Sequence, residues 1–137
     1  MSDSLMLCTH KLDIRVIFRD VDMGKIVHHP NYMFYLEAGR EGWFNMFGVD
    51  LNELIIGKDY GMMVCSFEIS YNSPIFLGDV VTIEIRLVDR SRVSFTFLQK
   101  IWRDGKLLTN ARVKVVGAYV DKYKPAILPR EYAGKLL

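Results

Sequence analysis

Asp20-Val21-Asp22-Met23-Gly24-Lys25-Ile26-Val27-His28-His29-Pro30-Asn31-Tyr32 joins an alternating stretch to the longest helical stretch in the chain. It carries two aspartates and two of the three histidines. Upstream, residues 11–20 read as a strand. Leu12, Ile14, Val16 and Phe18 alternate with Lys11, Asp13 and Arg15, with Ile17 as the exception. Gly24 permits a tight turn. Downstream, residues 30–47 read as a helix. Pro30 suits the first helical position, and Gly48 suits the position just past the end. Met33, Leu36, Phe44 and Phe47 mark one apolar stripe, with Tyr32, Tyr35, Trp43 and Met46 on other sides. Charge is confined to Glu37, Arg40 and Glu41. A helix apolar over most of its circumference belongs at the centre of something. Two interior glycines, Gly39 and Gly42, each cost about 1 kcal/mol against alanine. With Ala38 they form a small-residue patch that lets a sheet or a partner chain come close.

Beyond the helix, Asp50-Leu51-Asn52-Glu53 resembles a capping box and opens a short second helix ending near Gly57. The period then changes to two. Met63, Cys65, Phe67, Ile69 and Tyr71 alternate with polar or smaller neighbours, and Asn72-Ser73-Pro74 makes a turn. Val81, Ile83, Ile85 and Leu87 form a second run, and Val93, Phe95 and Phe97 a third. Asp104-Gly105 is a hairpin turn before a last strand carrying Val113, Val115 and Tyr119. Leu128-Pro129-Arg130-Glu131 opens a short C-terminal helix. The order predicts an α+β fold: an antiparallel sheet of about five strands wrapped around one long central helix.

The chain has 137 residues, half of them hydrophobic, which predicts one domain over 1–137. A formal charge of +2 is too small to argue for nucleic-acid or membrane-surface binding. Met1 to Leu7 has no basic region and no sustained apolar run, so no signal peptide is expected, and no transmembrane helix. Cys8 and Cys65 match neither a metal nor a redox motif, which suits a reduced, cytoplasmic setting. The chain has no Gly-x-Ser-x-Gly elbow and no His-Glu-x-x-His.

A polar cluster at a strand-to-helix junction is a place for chemistry, because a helix start offers unpaired N–H groups to an anion. Position alone leaves Asp22 open as a reacting carboxylate or as a turn former. Adjacent His28 and His29 point apart, so no shared metal is expected.

The junction resembles that of the hotdog-fold acyl-CoA thioesterases of the 4-hydroxybenzoyl-CoA thioesterase and YbgC type. Asp20-x-Asp22, Gly24, Val27, His28-His29 and Asn31-Tyr32 stand at matching spacing, and Glu37 with Arg40 matches the acidic-then-Arg helix pattern. Val21, Met23 and Lys25 depart from the family's commoner residues. The resemblance implies a hotdog fold and hydrolysis of an acyl- or aroyl-CoA to free acid and coenzyme A. Asp22 would be nucleophile or general base, with the helix start at His29 polarising the carbonyl. It further implies Tyr32, Met62, Met63 and Val64 along the substrate and Arg90 and Arg92 toward the phosphates. No cofactor is implied, since coenzyme A is part of the substrate, and acyl carrier protein is an alternative carrier. A homodimer or homotetramer is expected. The alternatives are a non-catalytic acyl-binding protein and a hotdog hydratase or dehydratase. Asp20 is assigned a structural role, accepting backbone N–H bonds.

Overall fold

The computed structural model describes residues 4–137; the start of the region read for a signal peptide, residues 1–3, lies outside them. Strand β1 (Thr9–Arg15) leads through a loop to helix α1 (Asn31–Met46) and helix α2 (Leu51–Lys58). Strands β2 (Tyr60–Tyr71), β3 (Val80–Arg90), β4 (Ser94–Arg103) and β5 (Lys106–Tyr119) follow, then helix α3 (Arg130–Leu136). All pairings are antiparallel, in the order β1-β3-β4-β5-β2. β3, β4 and β5 form a meander, while β2 crosses to the far side and pairs with β5. The β4–β5 turn takes left-handed backbone at Asp104 (φ 48°) and Gly105 (φ 77°), as a two-residue hairpin requires.

The sheet wraps α1 as the alternation predicts. Ile83, Ile85 and Leu87 are fully buried on β3, as is Phe97 on β4. Trp43 meets Phe97 edge-on at 5.0 Å, and Phe44 meets Phe95 at 5.5 Å. The buried face of α1 differs from the expected stripe. It runs Tyr32, Tyr35, Leu36, Gly39, Arg40, Trp43, Phe44, the i, i+3, i+4 spacing of one face. Met33 and Phe47 lie at its margin, and Met46 is exposed. The glycines serve the sheet: a Cβ on Gly39 would stand 2.9 Å from Ile83 Cγ2, and one on Gly42 would collide with the His10 ring. Past the helix end, Gly48 takes φ +75°, and Lys135 of α3 donates to its carbonyl at 2.9 Å. Asp50 caps α2 as expected, accepting from Asn52 and Glu53 N–H.

One strand boundary and one strand's alternation need correction. β1 ends at Arg15, not Asp20, because its partner β3 begins at Val80, the residue opposite Arg15. Val16 adds a last pair of backbone bonds, to Asp79 O at 2.8 Å and from Gly78 N–H at 3.2 Å; beyond it Phe18–Asp20 form a 3-10 turn and Phe18 is exposed. In β2 a bulge between Val64 and Ser66 inverts the alternation. Before it Tyr60 and Met62 pack on the core while Met63 is exposed; after it Phe67 and Ile69 face inward.

Candidate active site

The loop between β1 and α1 is stitched at both ends. The buried Asp20 carboxylate accepts the Tyr35 hydroxyl at 2.8 Å. Its backbone carbonyl accepts the His28 N–H at 2.8 Å and the Asn31 side-chain amide at 2.9 Å. Asp20 is structural, but its carboxylate holds a phenol and an arginine (Arg19) rather than backbone N–H groups. Burial and the Asp20 carboxylate push the Tyr35 phenol far above its ordinary range.

Between these stitches, residues 21–27 form a small hairpin. Val21 bridges Val27, Ile26 bridges Phe76, and Val27 N–H donates to Ile75 O at 2.7 Å. Asp22 starts the turn: one carboxylate oxygen accepts the Gly24 N–H at 2.8 Å. The left-handed residue is Lys25 (φ 65°), not Gly24. The absent side chain of Gly24 instead leaves room beside Asp22, since a Cβ there would stand 3.1 Å from its Oδ1. The other oxygen, Oδ2, makes no hydrogen bond among the described residues and is exposed.

The helix start is less open than the sequence implies. The N–H groups of Asn31, Tyr32 and Met33 turn back to the carbonyls of His28, His29 and Pro30 at 2.9, 3.3 and 3.1 Å. The His29 N–H makes no hydrogen bond among the described residues. One backbone donor is therefore left beside the pocket, close to the positive end of the α1 dipole.

Asp22, His29 and Tyr32 line one open pocket of about 410 Å³, with Val27, Tyr71 and Pro74 among its other walls. Tyr32 is buried, and burial raises its phenol above the ordinary range. Tyr71, which the sequence did not single out, meets Tyr32 edge-on at 4.9 Å, and its hydroxyl lies 3.3 Å from His29 Nε2. The far wall is held by Arg103, which donates to Asp79 at 2.6 Å and to Pro74 O at 3.3 Å.

The other candidate residues stand elsewhere in the chain. Met62 and Val64 line a separate cavity of about 260 Å³ between α1, α2 and β2, beside Arg40 and Phe44. Arg40 is buried there and donates to Gln99 at 3.1 Å, and burial lowers its pKa. Met63 points outward, half-exposed. The Arg90 guanidinium donates to Leu136 O of α3, and Arg92 is exposed in the β3–β4 turn. Neither arginine lines the pocket of Asp22. Among the described residues no group of three His, Cys, Asp or Glu side chains could hold a metal ion.

One antiparallel sheet wrapped on a central helix, with Asp22 and His29 on one pocket at the helix start, is the arrangement that the resemblance to hotdog-fold thioesterases implies. Comparison with known proteins agrees. Residues 16–136 match the family model described as the thioesterase-like superfamily, and the chain belongs to that family. An acyl-CoA thioesterase YbgC of Haemophilus influenzae is 25% identical over 118 residues, covering 86% of this chain and 87% of that one. The crystal structure of a probable thioesterase from Bartonella henselae superposes with TM-score 0.83 at 25% identity, over 89% of this chain and all of the other. A 4-hydroxybenzoyl-CoA thioesterase bound to 4-hydroxybenzoyl-CoA shares the fold, with TM-score 0.81 at 24% identity over 93% of this chain and 97% of that one.

Proposed function

We propose that this chain hydrolyses the thioester of an acyl-CoA to a free acid and coenzyme A, with Asp22 and His29 at the reacting carbonyl. The observation that carries the proposal is a carboxylate with an uncommitted oxygen and an unpaired N–H on one pocket of a thioesterase-family chain. The relatives named acyl-CoA thioesterase support the substrate class.

In the nucleophilic route Asp22 Oδ2 attacks the thioester carbon, the C–S bond breaks, and the thiolate leaves. Water then opens the mixed anhydride and restores the carboxylate. In the general-base route Asp22 takes a proton from water, which attacks the same carbon; the C–S bond then breaks and the thiolate leaves, taking up the proton. Either way the carbonyl oxygen gains negative charge, and the His29 N–H stabilises it. One such donor is worth about 10²–10³ in rate.

The functional unit we propose is a homodimer or larger, in the cytoplasm. β2 is a twelve-residue edge strand whose outer edge pairs with no strand among the described residues, and Met63 and Val64 are exposed beside it. Pairing there would bring a second copy's Met62 to Val64, and its Arg90 and Arg92, into play for substrate binding. A carrier-protein thioester is a second acceptable substrate form.

A panel of short-chain, long-chain and aromatic acyl-CoAs, read by released thiol, tests the activity. Thiol release from at least one member is expected. No release from any CoA or carrier-protein ester would leave an acyl-binding protein in place of an enzyme.

A further inference from the structure

We infer that Tyr71 is a positioning residue for His29, holding the imidazole at the pocket wall and fixing which ring nitrogen carries the proton. This rests on His29 acting at the reaction site. His29 is exposed and lies in the turn that opens α1, where its side chain packs into no core. Asp22 makes no hydrogen bond to it: Oδ1 accepts the Gly24 N–H, and Oδ2 has no partner among the described residues. Among the described residues the ring has one hydrogen-bond partner, the Tyr71 hydroxyl, 3.3 Å from Nε2, with ring centres 5.0 Å apart at 44°. That distance is at the long end for such a bond.

Tyr71 is itself anchored. Its backbone pairs with Thr109 of β5, and the next two N–H groups, of Asn72 and Ser73, both donate to Leu108 O at 2.8 and 3.2 Å. The buried Tyr32 packs edge-on to its ring. The phenol is thus carried on the sheet, and the imidazole leans on it.

The contact admits either sense; in the one proposed, the phenol donates to Nε2 and leaves the proton of neutral His29 on Nδ1. When His29 is charged, the hydroxyl rotates and accepts from Nε2–H, so the pair persists in both states. The other titratable groups on this pocket are Asp22 and His28 of the loop and Tyr32 of α1.

Tyr71→Phe keeps the ring and removes only the hydroxyl. Two measurements on the full-length protein decide the matter. The first is the ring-nitrogen NMR signals of His29 at neutral pH, assigned by their loss in His29→Ala. We expect the Nδ1–H form in wild type and a shift toward the ordinary mixture in Tyr71→Phe. The second is turnover on any acyl-CoA the wild type accepts. Losing one hydrogen bond predicts a fall in kcat of about 2- to 12-fold, with KM little changed and no further loss in a His29→Ala background. An identical tautomer in both proteins, or the same loss of kcat with and without His29, overturns the inference. If wild type hydrolyses no thioester, the proposed function fails, while the NMR measurement still decides whether Tyr71 sets His29.

Discussion

Asp20 and Asp22 are two residues apart and do opposite things. Asp20 is buried on the Tyr35 hydroxyl, whereas Asp22 keeps one oxygen toward the pocket. Tyr35→Phe should therefore act on stability: stranding a buried carboxylate costs about 1–3 kcal/mol, read as a lower urea midpoint. An unchanged midpoint would mean that the Asp20–Tyr35 bond does not hold the loop. Tyr60 supplies a pH test. Its hydroxyl donates to Ala126 O at 2.7 Å, and burial, then neighbouring Tyr119, push its pKa up to about 12. An unfolded tyrosine titrates near 10. The raised folded value means that its stabilisation is complete below pH 10 and is lost as pH rises toward 12. Urea midpoints measured from pH 9 to 12 should fall across that window in wild type, and less steeply in Tyr60→Phe.

At the scale of elements, α1 lies against the sheet because two of its residues lack side chains. Gly42→Ala should gain helix propensity of about 1 kcal/mol yet lose more through collision with the His10 ring. A net loss in melting temperature, largely recovered in His10→Ala/Gly42→Ala, is the expected pattern; a plain rise for Gly42→Ala alone would show that the contact gives way. The strands and α1 were legible because period and punctuation agreed at Pro30, Gly48 and Asp104-Gly105. Where the sequence misled, a neighbour decided. β1 stops where the chain before β3 turns away at Gly78, after a last exchange with Val16, and the bulge at Cys65 moves the inward face of β2 from even to odd positions. Neither event marks the strand's own alternation. Asp22, His29 and Tyr32 stood out as a candidate site because they lie within eleven residues of one another, and they line one pocket. Tyr71 comes from a strand 42 residues after His29 and looks like any aromatic at a strand end.

For the whole molecule, the pocket holds the chemistry of one chain, while Met62, Val64, Arg90 and Arg92 stand away from it. The account joins them through a second copy at the free edge of β2. Val64→Lys places a charge at that edge. It should shift the protein to a monomer by light scattering and lower kcat/KM by about tenfold or more, in line with lost substrate contacts of about 1.4 kcal/mol or more. A fully active monomer would show the pocket to be complete in one chain.

The most direct test of the central claim is thiol release by Asp22→Asn, which keeps shape and the Gly24 hydrogen bond but removes the carboxylate. With the best acyl-CoA of the panel, kcat should fall by about 10²-fold or more, while the acyl-CoA still binds and the melting temperature stays near wild type. Turnover at the wild-type rate would contradict the account, because no carboxylate would then stand at position 22 to attack the carbonyl or to activate water.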